Sequence, residues 1–428
     1  MSKSPKKIVI VHYHLRAGGV TTVIQRQLLA LNEHFPNSEI ILLVGETPNF
    51  TVEGVTVVVD SALLYSTFSN REEAYRREVY LLKLLLTMIT SQDTLFHFHN
   101  PTLGKNPALT GAIHSLADKR VPIVMMCHDF SEDRESNHAL NMEYASWADC
   151  DIHSFLYPDR ENIHYLTINS FDLNRKHWES LKYSRVSLLA PPVGKITKSP
   201  TTREEIAQSL GINSNKEWIL YPVRGIDRKN IGELILLAVL DGFSREWIVA
   251  REPINSVANP EYAIWRALIN RLDLPILLNG AAKVSFEALY HSCNRVVTTS
   301  YKEGFGLAYL EPWYISKSLF GREISYVVND MRDSGVAQDF LYKELLVPNH
   351  GSWVDFITLS LDERVYLIER VVVSQKLRDE IIAKNSWWSR VWSRASRLTV
   401  ESNRLAIEKN YSIHSFGDKI AKLYISVV

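Results

Sequence analysis

The sequence has few cysteines, no excess of either charge and no long apolar run, and each absence excludes a class of protein. Cys127, Cys150 and Cys293 form neither a CxxC pair nor a disulfide framework, which is typical of a reducing compartment. Lysine plus arginine and aspartate plus glutamate number 48 each, so no net field attracts nucleic acid. The apolar stretch VYLLKLLLTMI carries Lys83 and is shorter than the roughly 18 residues of a membrane-spanning helix. We predict a cytoplasmic protein that neither spans a membrane nor binds nucleic acid.

The 428 residues suffice for two domains of about 200 residues each. Short β-branched runs alternate with amphipathic stretches, a pattern that indicates parallel strands joined by helices. The predicted strands are KIVIVHYH, EIILLVG, TVVVD, TLFHFHN and PIVMMCHD in the first half, and WILYPVRG, EWIVAR, PILLNG, RVVTTS and EISYVVND in the second. We predict an α/β protein with a first domain over residues 1–195, a second over 196–400 and a closing helical segment over 401–428.

Residues that follow the strands are the candidates for ligand binding, because open α/β sheets bind ligands beyond the carboxyl ends of their strands. Gly18 and Gly19 lie between the first strand and a helix, where free N–H groups and the helix dipole favour a diphosphate. They lack the GxGxxG spacing of a dinucleotide site, and a tight turn explains them equally well. Arg224 and Lys229 follow a later strand and can bind neighbouring phosphate oxygens, with a solvated basic loop as the alternative.

Several histidines also lie on or just after strands. His128 ends the strand PIVMMCHD, where its ring faces either the crevice or the core. His12 pairs with His14, and His97 with His99, each pair on one face of a strand because the side-chain period is two. No carboxylate or cysteine recurs at a ligand spacing, so we predict polar lining of a cleft and no metal site.

The stretch TTSYKEGFGLAYLEPW places Glu303 and Glu311 on either side of a glycine-rich turn, with seven residues between them. Such turns hold anions, so two carboxylates need a ligand that also offers hydroxyl groups. A sugar nucleotide offers both. We expect Gly304 and Gly306 to let the backbone approach this ligand, and a helix starting near them to contain Glu311.

The stretch SWWSRVWSRASRL interleaves tryptophan with arginine. Trp388, Trp392, Ala395 and Leu398 fall on one helical stripe, which predicts packing against the domains. Peripheral contact with a membrane surface is the alternative.

The stretch YKEGFGLAYLE resembles the Glu-x7-Glu motif of the retaining glycosyltransferases of family 4. Their GT-B fold has two facing Rossmann-like domains with parallel sheets and a C-terminal helix that crosses back to the first domain. The resemblance continues in the family's order through HLRAGGVTTVI, PIVMMCHD, VRGIDRK and NGAAKVSFEALYHSCNRVVTTS, and covers most of the chain. It implies that a hexose moves with retention from a nucleoside diphosphate sugar to an acceptor hydroxyl, with no metal or other cofactor. UDP-glucose and GDP-mannose are the expected donors, and the acceptor is unknown.

The resemblance also implies residue roles. Glu303 would hold the donor hexose, Glu311 the ribose hydroxyls, and Arg224 with Lys229 the diphosphate. The backbone positions that would join Glu303 at the hexose are Gly304, Phe305, Gly306 and Leu307.

From the other domain, the resemblance implies that Gly18 and Gly19 close on the diphosphate and that His128 lies beside the transferred sugar.

Pro312 departs from the family pattern, which has alanine there, and either occupies the first turn of the helix or kinks it. Two alternatives remain: a catalytically inactive nucleotide-sugar-binding or regulatory protein of the same fold, and a sugar-nucleotide epimerase.

Overall fold

The structure is a computed structural model that describes residues 4–16, 18–91, 93–253, 259–393 and 395–428. Its strands, in chain order, are β1 (Lys7–His12), β2 (Glu39–Val44), β3 (Val55–Val59), β4 (Thr94–His99), β5 (Ile123–Cys127), β6 (Ile163–Thr167), β7 (Arg185–Leu188), β8 (Trp218–Arg224), β9 (Glu246–Arg251), β10 (Ile276–Leu277), β11 (Arg295–Thr298), β12 (Ser318–Arg322), β13 (Leu341–Tyr342), β14 (Leu346–Asn349) and β15 (Ser352–Asp355). Its α-helices are α1 (Gly19–His34), α2 (Arg71–Thr87), α3 (Pro107–Ala117), α4 (Glu135–Trp147), α5 (Ile152–Leu156), α6 (Ser170–Leu173), α7 (Arg203–Leu210), α8 (Ile231–Leu240), α9 (Pro260–Arg271), α10 (Phe286–Ser292), α11 (Glu311–Tyr314), α12 (Ser325–Asp333), α13 (Leu361–Val373), α14 (Gln375–Lys384), α15 (Trp388–Trp392), α16 (Arg397–Tyr411) and α17 (Ile413–Val427).

The chain divides into two compact units. The first unit runs to Gly194 and also includes Lys409–Val428, and the second unit is Lys195–Glu408. The sequence places the last boundary between residues 400 and 401, inside α16, and the units divide eight residues later, between residues 408 and 409.

The first unit is built on a parallel sheet with the strand order β3-β2-β1-β4-β5-β6-β7. The order reverses between β1 and β4, which is the switch point where such sheets bind ligands. Within this unit α17 packs on α1, and the Tyr424 hydroxyl accepts a hydrogen bond of 3.1 Å from the Gln27 amide. The end of the chain therefore completes the core of the unit that the amino-terminal strand begins.

The second unit repeats this arrangement. Its parallel sheet has the order β10-β9-β8-β11-β12-β13, with the switch point between β8 and β11. A separate antiparallel hairpin pairs β14 with β15. The prediction of two Rossmann-like α/β domains with parallel sheets is confirmed.

One predicted strand is wrong. EISYVVND lies largely in α12, whose Val327, Val328 and Met331 are buried at helical spacing, and the strand is the preceding SLFGR of β12. The sequence of β12 is a weak indication of a strand because it holds Gly321, with φ 133°, and a buried arginine, Arg322. A Cβ at position 321 would lie 1.9 Å from the Thr298 carbonyl oxygen, so the neighbouring strand excludes a side chain there.

The tryptophan-rich stretch packs only in part as predicted. The Trp392 ring lies 5.0 Å from that of Phe320 and 6.1 Å from that of Trp247, so packing is confirmed for Trp392. The prediction is wrong for Leu398, which is 81% exposed, because α15 ends at Trp392 and α16 begins only at Arg397. None of the helices in the described ranges is long and apolar enough to cross a membrane.

Candidate active site

In the second unit, the loop that follows β8 is hydrogen bonded to the loop that follows β11. The Tyr221 hydroxyl donates to the Lys229 carbonyl oxygen at 2.7 Å and lies 2.9 Å from Ser300 Oγ. Thr299 Oγ1 donates to the carbonyl oxygens of Lys229 and Asn230, at 3.0 Å each. These bonds fix the two loops at the switch point of the sheet, where a ligand is expected.

Glu303 is the centre of this site. Its carboxylate contacts Lys229 Nζ through Oε1 and accepts a 2.6 Å bond from Arg228 Nη1 through Oε2. The Tyr326 hydroxyl fixes the backbone of Glu303, since it donates to the carbonyl oxygen at 2.6 Å and accepts from the N–H at 3.2 Å. Glu303 is 9% exposed, so a firmly held carboxylate lies just below the surface of the unit.

The charges around Glu303 keep it ionised. Burial favours the neutral acid and by itself would raise the pKa of Glu303, but the charges of Lys229 and Arg228 outweigh burial and the pKa is lowered. Burial also lowers the pKa of Lys229, and the Glu303 carboxylate opposes this effect. A lowered carboxyl pKa leaves an acceptor-only group at neutral pH, which suits hydrogen bonds from hydroxyl groups.

Arg224 ends β8 beside another arginine. Arg224 and Arg251 are register partners of adjacent parallel strands, and burial, followed by the charge of Arg251, lowers the pKa of Arg224. The Arg251 guanidinium lies 4.5 Å from the centre of the Phe286 ring. Two guanidinium groups at one edge of the sheet are the kind of donors that bind phosphate oxygens.

The glycine-rich turn differs from its prediction in two ways. Gly306 has φ 80°, and a Cβ there would lie 2.7 Å from Val327 Cγ1, so the packing of the unit already requires glycine. Glu311 lies in a helix as expected, but this helix, α11, begins only at Glu311 rather than near Gly304 and Gly306, and it has four residues. Pro312 lies in the first turn and has no N–H to donate, so it is accommodated without a kink.

In the first unit, Gly18 precedes α1 and Gly19 is its first residue. Gly18 has extended backbone, with φ 177°, and a Cβ there would make an ordinary 3.7 Å contact with the Arg16 carbonyl oxygen. A Cβ at Gly19 would meet nothing within 4 Å among the described residues. The turn itself therefore gives no steric reason for either glycine, in contrast to Gly306.

Four histidines of the first unit, His12, His97, His99 and His128, lie close to one another. His99 Nδ1 lies 3.0 Å from His128 Nε2, and His12 Nδ1 donates to the His99 carbonyl oxygen at 3.0 Å. The Tyr424 hydroxyl lies 2.7 Å from His97 Nδ1. His97 and His99 are 0% and 1% exposed, so the prediction that they line a cleft is wrong: the helix that carries Tyr424 covers His97.

These histidines are neutral at pH 7. Burial lowers the pKa of His12 and of His97 to about 3. It lowers the pKa of His128 to about 4, and the nearby Asp129 carboxylate opposes the shift. His128 follows the carboxyl end of β5 and is 7% exposed. Among the described residues, its Nε2 is the ring nitrogen that lies within hydrogen-bonding distance of a partner, His99 Nδ1. Its Nδ1 can therefore interact with a ligand.

Asn100 positions the loop that carries His128. Its backbone is left-handed, with φ 59°, and its Oδ1 accepts from the N–H groups of His128 and Asp129 at 3.2 and 2.8 Å. Its Nδ2 donates to the Asp129 carboxylate at 3.0 Å. Asparagine is among the few residues that tolerate this backbone conformation, so an asparagine directly after the strand TLFHFH was a usable signal.

Comparisons with known proteins agree with this architecture. No protein-family model matches the chain. Mannosylglucosyl-3-phosphoglycerate synthase from Petrotoga mobilis is 25% identical over 399 residues, which cover 87% of this chain and 75% of that protein. Sucrose-phosphate synthase from Thermosynechococcus elongatus has a TM-score of 0.63 at 14% identity, over 99% of both chains. Anabaena Alr3699/HepE, solved with UDP and glucose, has a TM-score of 0.60 at 12% identity, over 98% of this chain and 99% of that one.

The chain has the GT-B glycosyltransferase fold. The predicted fold is thus confirmed, whereas membership of family 4 stays a prediction. Within this fold, two cations of the second unit were missed as site residues: Arg228, which contacts Glu303, and Arg251, which pairs with Arg224. Arg251 had a signal in the sequence, because EWIVAR ends an apolar strand with a charge at the ligand-binding edge.

Proposed function

We propose that this chain is a retaining glycosyltransferase of family 4 that moves a hexose from a nucleoside diphosphate sugar to an acceptor hydroxyl. The observation that carries the proposal is the ionised Glu303, held by Lys229 and Arg228 at the switch point of the second sheet. A carboxylate accepts hydrogen bonds from sugar hydroxyls, and the Arg224–Arg251 pair at the same sheet edge supplies the positive charge that a diphosphate needs.

The reaction breaks the bond between the anomeric carbon and the diphosphate oxygen and forms a bond from that carbon to the acceptor oxygen. Arg224 and Arg251 stabilise the negative charge that grows on the leaving diphosphate, while Glu303 orients the hexose. The acceptor proton passes to a leaving phosphate oxygen on the same face, as the family resemblance implies. No side chain is then needed as a base, and no metal is required.

The other predicted site residues take supporting roles in this proposal. Gly18 and Gly19 bring backbone N–H groups to the diphosphate, consistent with the lack of a steric reason for glycine at either position. His128 offers its Nδ1 to the transferred sugar. Glu311 binds the ribose hydroxyls from the start of α11.

UDP-glucose and GDP-mannose are the donors that we propose. UDP-glucose is the first to test, because a protein with the same fold was solved with UDP and glucose. The Petrotoga relative is named for a product that contains 3-phosphoglycerate, so a glycoside of 3-phosphoglycerate is an acceptor to test.

Thermal unfolding tests donor binding directly. The protein is heated with UDP, GDP, ADP or dTDP in the presence of a chelator, with NAD as the control. A ligand at about 100 times its dissociation constant adds about 2.7 kcal/mol to the free energy of unfolding. We expect stabilisation by UDP or GDP and none by NAD; no shift with any diphosphate would contradict the proposed site.

Donor turnover separates the three candidate functions. A transferase hydrolyses its donor slowly without acceptor and forms a glycoside with acceptor, an epimerase changes the sugar while it stays on the nucleotide, and a binding protein does neither. Nuclear magnetic resonance of the glycoside reports the anomeric configuration. An inverted product would refute retention while leaving glycosyl transfer in place.

A further inference from the structure

Three side chains where α1 meets α17 bring nitrogen and carboxylate ligand atoms together outside the proposed active site. Glu33 and His34 lie in the last turn of α1, and His414 lies in the first turn of α17. One ligand atom from each lies within 4.8 Å of the others. Asp418, one turn after His414, adds a second carboxylate, with Oδ1 lying 3.1 Å from His34 Nε2 and Oδ2 lying 3.7 Å from His414 Nε2.

The His34 ring is held in position for this cluster. Its Nδ1 donates to the Ala30 carbonyl oxygen at 2.9 Å, which leaves Nε2 as the nitrogen that faces the other groups. A Cβ at Gly417 would lie 2.3 Å from the ring, so glycine in α17 provides the space that the imidazole occupies. A carbonyl that orients the far nitrogen of an imidazole is the usual support of a histidine metal ligand.

We propose that Glu33, His34 and His414 bind a divalent transition-metal ion, with Zn²⁺ as the best fit, and that this ion links α17 to α1. Two imidazoles with carboxylates form a donor set that suits Zn²⁺, whereas Mg²⁺ prefers oxygen ligands. Tetrahedral Zn²⁺ ligands lie about 3.3–3.6 Å apart, so small side-chain rotations bring the three atoms to the ion. The Asp418 carboxylate, whose Oδ1 lies 3.1 Å from His34 Nε2, is within reach of the same ion as a fourth ligand.

Calorimetric titration of the metal-free full-length protein with ZnCl₂ tests this site. We expect one Zn²⁺ per chain, a higher unfolding temperature with Zn²⁺, and no such effect from MgCl₂. His414→Gln should weaken binding at least tenfold and abolish the thermal shift. The side chain of His414 is 67% exposed, so this variant should fold, which circular dichroism checks.

His350→Gln is the matched control. His350 is an exposed histidine of the second unit whose Nε2 lies 4.0 Å from Glu363 Oε1, and this variant should bind Zn²⁺ as the wild type does. No saturable binding by the wild type, or equal binding by a folded His414→Gln variant, would overturn the proposal. Both readouts are independent of transferase activity, so the metal site and the proposed function fail or stand separately.

Discussion

Glu303 depends on the two cations that hold it. A buried carboxylate is unfavourable unless it is paired, and the contacts with Lys229 and Arg228 supply the compensation. The dependence is mutual, because the Lys229 side chain is only 12% exposed and would lose its neutralising partner. A substitution at either residue therefore affects both stability and ligand binding, and a test of function must separate the two effects.

We expect Glu303→Gln to keep the fold but to reduce transfer by about 100-fold or more, because the amide removes an anionic acceptor from the donor hexose. The same change leaves Lys229 buried without its counter-charge and should lower the free energy of unfolding by about 3 kcal/mol. Transfer rates and urea unfolding measure the two effects.

The double variant Lys229→Met with Glu303→Gln separates them. It removes both charges, so we expect it to regain part of the lost stability while transfer stays low. Near-native turnover by a folded Glu303→Gln protein would show that Glu303 is not part of the active site.

At the scale of secondary-structure elements, glycine occurs in the turns at Gly306 and Gly19 for different physical reasons. Gly306 combines a left-handed backbone with a space that Val327 closes, so its reason lies within the folded unit. Gly19 opens α1 with ordinary backbone and open space among its described neighbours. We propose that Gly19, which the described packing does not require, allows a ligand to approach the backbone closely.

The matched substitutions Gly306→Ala and Gly19→Ala test this difference. We expect Gly306→Ala to lower the free energy of unfolding by about 2 kcal/mol or more, through the left-handed backbone and overpacking against Val327. Gly19→Ala should leave stability almost unchanged and weaken nucleoside diphosphate binding. Urea unfolding and the thermal shift with UDP distinguish them; equal affinity in Gly19→Ala and the wild type would contradict the ligand role.

At the scale of the whole molecule, the buried histidines make stability depend on pH. Their ordinary pKa is 6.5, and burial lowers it to about 3 for His12 and His97 and to about 4 for His128. Below pH 6.5 the unfolded chain therefore binds protons that the folded chain does not. The free energy of unfolding falls by about 1.4 kcal/mol per pH unit for each such histidine, until the folded pKa is reached.

We expect urea unfolding to show this loss between pH 7.5 and pH 5. His97→Gln keeps a polar group beside Tyr424 but removes one titrating group, so its loss of stability over that range should be about 2 kcal/mol smaller. His350→Gln, at an exposed site, should behave as the wild type does. An equal loss in His97→Gln would mean that His97 does not contribute to the pH dependence.

Much of the fold was predictable because its signals are local. The largely apolar runs of β1, β2, β4, β5, β8, β9 and β11 are mostly buried strands, and the pattern that predicts them depends only on neighbours along the chain. EISYVVND failed because a β-branched run also suits a helix with one buried face, and here the burial of Val327 and Val328 favours the helix.

For the candidate site, the sequence identified which strand ends carry the site residues, but not which of these residues contact one another. Glu303 and Lys229 were both predicted as site residues, yet their mutual contact depends on β8 and β11 being adjacent. The Arg224–Arg251 pair likewise exists because β9 lies beside β8. These partners are 27 to 74 residues apart in the chain, and no local pattern specifies such a distance.

The sequence by itself determined the alternation of strands and helices, two α/β domains and the places where ligand-binding groups follow strands, since these depend on periodicity and local composition. Tertiary structure alone decided which cations neutralise Glu303, which histidines α17 covers, and that Glu33 and His34 lie against His414. These outcomes depend on strand order and helix packing, which bring together residues far apart in the chain.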